Sequence, residues 1–247
     1  MTEQPWQGSA LLRPGVLAFT GTIGVTDPHA HHAVQITTAS TAMTIVDGNG
    51  ACHRGTKVIV PANATHRIDT GAARGALVFL DPESTAGRAA HHRSIHHGWT
   101  SGPVLNHTRE RPLGAVVTDL ISQLTPLHAE PIPQRHPAVL AALEVLANPS
   151  GPGAVRGTDV AAQVGISASR LTHLFTEEVG IPLRRYVLWR RLHIAITRVQ
   201  AGDDLTGAAH AAGFADSAHL SRTCRDTFGL PPSLLSRHIR WDIDTMI

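Results

Sequence analysis

Three histidines fall within four residues of the stretch DPHAHHAVQ: His29, His31 and His32, with Gln35 close behind. Imidazole is the commonest metal-ligating side chain. In an extended strand, residues two apart share a face, so His29 and His31 are expected to point together and His32 away. Gln35, four residues after His31, falls on the same face. A small barrel would bring His66 alongside from a later strand. Three imidazoles and one amide oxygen could hold Zn²⁺, Ni²⁺, Cu²⁺ or Fe²⁺. Two other readings stand beside a metal centre. The histidines could contact a small organic ligand in a metal-free pocket, or they could satisfy one another structurally. The chain contains 17 histidines, so chance clusters are expected. His91/His92 and His96/His97 read more readily as a solvated connector than as a second metal site.

The elements that would carry these residues differ along the chain. Residues 11–82 read as β structure. The apolar runs VLAFT, AVQITTA, MTIV, KVIVPA and GALVFL are separated by Gly, Pro, Asn and Asp turns. VDGNGA predicts a hairpin, and Pro61 should close a strand. Such spacing suggests a small barrel or sandwich. The stretch ESTAGRAAHHRSIHHGWTSGP is mixed. LGAVVTDLISQLTPL, residues 113–127, carries Val116, Leu120 and Leu124 at helical spacing, with Val117 and Ile121 beside them. HAEPIPQRHP reads as a linker, and a helix at 138–147 is ended by NPSGPG.

From residue 158 onward the chain is helical and repeats itself. Ala161 and Gly165 recur 48 residues later as Ala209 and Gly213, and Leu171, Gly180 and Pro182 recur 49 residues later as Leu220, Gly229 and Pro231. Each copy is a short helix, a glycine turn and a second helix. A long helix with Pro182 near its start and Gly202 after its end joins them. Two helix-turn-helix units imply DNA, because the second helix of such a unit enters the major groove and its exposed side chains meet base edges. Copy one offers Ser169, Arg170, Thr172 and His173. Copy two offers Ser217, His219, Arg222 and Thr223.

Charge agrees. The net formal charge is +2, with ten basic and ten acidic side chains in residues 1–149. Residues 150–240 carry eleven arginines against seven acids, and arginine grips phosphate bidentately. Two cysteines, Cys52 and Cys224, argue against a disulfide scaffold and for a reducing compartment. No signal peptide or run of ~18 apolar residues is present, so a cytoplasmic location is expected.

Residues 158–238 resemble the AraC/XylS-type DNA-binding domain, and AAHAAGFADSAHLSRTCRDTFGLPPS is close to that family's signature. The resemblance implies two recognition helices in successive major grooves of double-stranded DNA. It implies base contacts from Ser169, Arg170, Thr172 and His173, then Ser217, Ala218, His219 and Arg222, with Arg225 on phosphate. Cys224 departs from the pattern, where Phe is usual. It falls on the core face, where a free cysteine packs as a small hydrophobe. GVTDPHAH with HAVQ, and GTKVIVPANATH, resemble the two cupin motifs. This resemblance implies a metal set of His29, His31, Gln35 and His66, with Gln35 replacing the usual Glu.

The expected class is α+β: an N-terminal cupin-like β-barrel, a connector helix and a C-terminal all-α domain with two helix-turn-helix motifs. The expected divisions are 1–95 for sensing, 96–135 for connection and dimerisation, and 136–247 for DNA binding. The function expected is sequence-specific transcriptional regulation, set by a metal ion or small-molecule effector, in a homodimer that engages RNA polymerase if it activates. No catalysis is expected. The alternatives are a metal-dependent cupin enzyme of oxygenase or isomerase type fused to a DNA-binding domain, and a ligand-independent DNA-binding dimer.

Overall fold

The structure is a computed structural model that describes residues 6–13, 15–103, 112–124, 134–147, 156–232 and 239–243. Most of the predicted HAEPIPQRHP linker and the NPSGPG helix stop lie outside the described residues, as do 125–127 of the predicted helix. The chain divides into two compact units. One comprises Met1–Glu130 with Cys224–Ile247, and the other Pro131–Thr223.

The first unit is built on a seven-stranded sheet. Its strands are β1 (Gln7–Arg13), β2 (Val16–Ile23), β3 (Val34–Asp47), β4 (Cys52–Val60), β5 (His66–Thr70), β6 (Ala72–Leu80) and β7 (Ile239–Ile243). The order is β4-β3-β6-β2-β1-β7, with β5 paired to β3. All pairings are antiparallel except β1 with β7. The sheet is not closed, which corrects the expected barrel. Among the described residues its path ends at β4 on one side and β7 on the other.

The hairpin at VDGNGA forms as expected. The Asp47 carboxylate accepts from the amides of Asn49 and Ala51, and Gly50 takes φ 85°. AVQITTA and MTIV are one strand, β3, whose register against β4 shifts between Thr38 and Met43. β4 ends at Val60, immediately before Pro61.

Two helices pack on the sheet. α1 (Thr85–His97) fills the stretch that shows no clear pattern in sequence. Ser84 caps it by accepting from the Gly87 amide, and its buried face is Ala86, Gly87, Ala90 and Ser94. These small residues allow close approach but leave no apolar stripe to read. α2 (Leu113–Leu124) places Val116, Val117, Leu120 and Leu124 in one core with Leu11, Val34, Ile36, Ile59, Val78 and Leu80. The stripe that suggested dimerisation is thus covered by this unit's own sheet. Each such side chain contributes about 1.5–3 kcal/mol by leaving water.

The second unit begins with α3 (Pro137–Ala147), α4 (Gly157–Gln163), α5 (Ala168–Val179) and α6 (Leu183–Gln200). Val139, Ala142, Leu146, Val160, Ala161, Leu171, Phe175, Leu183 and Tyr186 form its core. α7 (Leu205–Ala211) and α8 (Ser217–Phe228) repeat α4 and α5. Ala161 and Ala209 are buried at the matched positions, and the turn glycines Gly165 and Gly213 take φ 73° and 82°. That left-handed region is costly for any residue with a Cβ, which is why each turn is built on glycine.

Candidate functional site

His29, His31, Gln35 and His66 are all buried and converge. The ligating nitrogens of His29, His31 and His66 lie within 4.8 Å of one another. Gln35 and His66 sit on β3 and β5, as their spacing suggests. His29, His31 and His32 lie on irregular chain before β3, so strand alternation does not orient them as expected. A single bridge between His29 and His66 pins this loop to β5 instead. His32 is buried as well but stands outside the cluster.

Proton placement defines what the cluster can do. Nδ1 of His29, His31 and His66 lies 2.8, 2.8 and 2.9 Å from the carbonyls of Asp27, Ala33 and Ala64. A carbonyl can only accept, so each Nδ1 carries the proton and each neutral ring keeps its lone pair on Nε2. The Gln35 side-chain oxygen lies 3.1 Å from Nε2 of His31 and 3.4 Å from Nε2 of His66. Gln35 Nε2 donates to the Thr37 hydroxyl at 3.0 Å. With the amide oriented so, the Gln35 oxygen meets the Nε2 atoms of two rings.

Protonating a ring would relieve this, but burial opposes it. Burial pushes the His31 imidazole down to about 4 and His66 well below its ordinary value, and it lowers His29 too. A cation among the acceptors relieves the conflict. So does turning the Gln35 amide over, which lets its NH₂ donate to both rings while its oxygen accepts from Thr37. The donor set fits a transition metal. Carbonyl anchors on Nδ1 are the usual partners of metal-bound imidazole, and Zn²⁺ takes imidazole nitrogens at ~2.0–2.1 Å.

The cluster is supported by the last turn of α8 and the residue after it, within the same unit. The Asp27 amide donates to the Gly229 carbonyl at 3.3 Å, and the Ala30 amide to the Asp226 carbonyl at 3.2 Å. Phe79 meets His31 edge-on, with centroids 5.0 Å apart, and Phe228 at 6.0 Å.

The second candidate surface is the exposed face of each second helix. On α5, Ser169, Arg170, Thr172 and His173 are exposed, while Leu171, Leu174 and Phe175 are buried. Ser167 caps this helix by accepting from the Arg170 amide. On α8, Ala218, Arg222 and Arg225 are exposed, and Ser217 and His219 are half-buried. The Asp216 carboxylate accepts from the His219 amide, and the His219 ring packs edge-on against Phe214 at 5.3 Å. Thr223 is buried at 5% exposure, which corrects its reading as a groove-facing residue. The 49-residue offset aligns it with buried Leu174. The same offset pairs Arg170 with His219, His173 with Arg222, and Thr172 with Ser221. Ser221 is half-buried and was missed in the sequence, though the offset alone would have found it. Cys224 is buried as expected, and burial pushes its thiol up to about 12.

Several arginines of the C-terminal surplus have internal work. Arg190 donates to the Ala147 carbonyl at 2.7 Å, Arg191 to the Gly213 carbonyl at 3.0 Å, and Arg198 pairs with Asp203 at 2.7 Å. They hold helix ends and turns, so the surplus overstates the charge offered to phosphate.

Two helix-turn-helix units joined by one long helix, each with an exposed polar face, define a DNA-binding transcriptional regulator. Residues 160–238 match the family model described as a helix-turn-helix domain. A helix-turn-helix domain thus occupies residues 160–238. No curated protein sequence matches the chain. Among solved structures, ToxT from Vibrio cholerae O395 is similar at 12% identity and TM-score 0.51, covering 91% of this chain and 100% of its own. A 1.65 Å structure of ToxT from Vibrio cholerae gives 12% identity and TM-score 0.50, covering 90% and 98%. This likeness is one of fold. An AraC-type DNA-binding regulator from Chromobacterium violaceum is 26% identical over 39% of this chain and 87% of its own, with TM-score 0.35. No helix among the described residues is long and apolar enough to cross a membrane.

Proposed function

We propose that this regulator binds its operator through Ser169, Arg170, Thr172 and His173 on α5 and Ser217, Ala218, His219 and Arg222 on α8, with Arg225 on phosphate. Its effector is a divalent transition metal ion held by His29, His31, His66 and the Gln35 oxygen. One observation carries the metal reading: the ligand atoms of three buried histidines lie within 4.8 Å of one another, and each ring is anchored through Nδ1 on a backbone carbonyl. The cluster lacks a carboxylate, so binding there adds uncompensated positive charge to the sheet unit. By role, residues 1–95 sense, 96–135 connect and 136–247 bind DNA, with Cys224–Ile247 also packing in the sheet unit. A cytoplasmic homodimer, acting with RNA polymerase where it activates, completes the reading.

The test is elemental analysis of the purified full chain beside a His31→Ala, His66→Ala variant. One metal per chain is expected, lost in the variant. Operator sequences selected from random duplexes, with metal present and removed, should then differ in affinity. The metal-free reading, in which the turned Gln35 amide caps both rings, has its own signature. Neither protein would hold metal, and a small organic ligand alone would change DNA affinity. Turnover of a substrate by the loaded protein would instead favour a cupin-type enzyme.

A further inference from the structure

The loop that carries His29 is held from one side by the end of α8. The Asp27 and Ala30 amides donate to the Gly229 and Asp226 carbonyls. His29 Nδ1 in turn donates to the Asp27 carbonyl, so the ring that would ligate a metal and the amide that meets α8 belong to one residue pair. Contact at Gly229 is close. A Cβ placed there would lie 2.7 Å from the Asp27 oxygen, 2.7 Å from His29 Nδ1 and 2.8 Å from the Thr26 Cβ. Gly180, its equivalent 49 residues earlier, also takes a left-handed φ of 78°, yet a Cβ there meets nothing within 4 Å. Gly180 needs only its conformation, whereas Gly229 needs its conformation and the space.

We propose that the Asp27–Gly229 and Ala30–Asp226 hydrogen bonds couple occupancy of the histidine site to the docking of the last turn of α8. The inference rests on the metal reading above and adds how that site is regulated. Metal requires His29 in place, His29 requires the loop, and the loop is seated on residues 226–229. Binding therefore favours the docked turn, and undocking lowers metal affinity by the same factor. The same helix carries Ser217, Ala218 and Arg222 toward its other end.

Hydrogen exchange on the full chain tests this, with Ni²⁺ or Zn²⁺ as the probe. Residues 224–230 contain no proposed ligand, yet metal is expected to slow their exchange about 10-fold, within the usual range for coupled sites. Gly229→Ala should weaken Ni²⁺ binding by a similar factor, while Gly180→Ala leaves it unchanged. Equal Ni²⁺ affinity in both variants, with metal-independent exchange at 224–230, overturns the coupling and leaves the metal site standing. If the unaltered protein binds neither ion, the metal reading fails first and the coupling falls with it. Should Gly229→Ala not fold, the exchange measurement on the unaltered chain decides alone.

Discussion

Acidification should loosen the DNA-binding unit through a single histidine. His193 lies in the middle of α6, the helix that joins the two helix-turn-helix units, and is 7% exposed. Its ring packs on Trp189 with centroids 4.6 Å apart, and its Nε2 is buried without a hydrogen-bond partner. Burial, helped by the charge of Arg190, pushes its imidazole down to about 3. An unfolded chain takes up this proton near pH 6.5, and the folded one refuses it until about pH 3. The depressed group thus contributes stability above pH 6.5 that is lost as pH falls toward 3. The slope is about 1.4 kcal/mol per pH unit, so roughly 2 kcal/mol is gone at pH 5. Urea unfolding followed by far-ultraviolet circular dichroism at pH 7 and pH 5 measures the change. Other buried histidines also contribute, so the reference is His193→Leu, which removes this proton and keeps the volume. The unaltered protein should lose about 2 kcal/mol more than the variant over that interval. Parallel pH dependence in the two proteins would show that His193 accepts its proton while folded, and the reasoning would be wrong.

Three further outcomes are expected. Arg170→Ala and Arg222→Ala should each cost about 1–3 kcal/mol of operator affinity, by titration at fixed salt, with stability unchanged within ~0.5 kcal/mol because both side chains are exposed. Leu171→Ala, at a fully buried position of α5, should cost ~2–5 kcal/mol of stability, and a loss below ~1 kcal/mol would contradict its place in the core. Iodoacetamide at pH 8 should label one thiol in the native chain and two in urea, since Cys52 is exposed while Cys224 is buried with its thiol pushed up to about 12; rapid native labelling of both would refute that burial.

What the sequence disclosed depended on how local each signal was. The two helix-turn-helix units were legible because helical period, turn glycines and the 48- or 49-residue repeat all lie within short windows. Gly165 and Gly213 take the positive φ their position demanded. α1 was invisible because its buried face is Ala, Gly and Ser rather than a leucine stripe. β7 was missed because its five residues form a strand only against β1, and no local pattern announces so distant a partner. The histidine cluster was found for a reason that proved incomplete. His29 and His31 do meet His66, but a bridge and three carbonyl anchors aim them rather than strand alternation. Thr223 carries a groove-compatible hydroxyl, but its place in the repeat is that of Leu174, and it is buried like it. The arginine surplus overstates the charge free for phosphate because composition does not reveal which carbonyls side chains such as Arg190 and Arg191 will cap.

The parallel pairing of β1 with β7 has a consequence in time. Ser9 and Arg240, partners in that register and linked by a 3.3 Å hydrogen bond, are 231 residues apart. During synthesis β1 emerges early and can pair at once with β2, but its outer edge stays open until residues 239–243 have left the ribosome. By then the whole of α3–α7 is available to fold. The nascent chain thus carries a competent helical unit beside a sheet with one raw edge, the kind of edge that recruits foreign strands. Its window of vulnerability to aggregation is set by translation time, and the segment that ends the window is the one that follows the second reading helix.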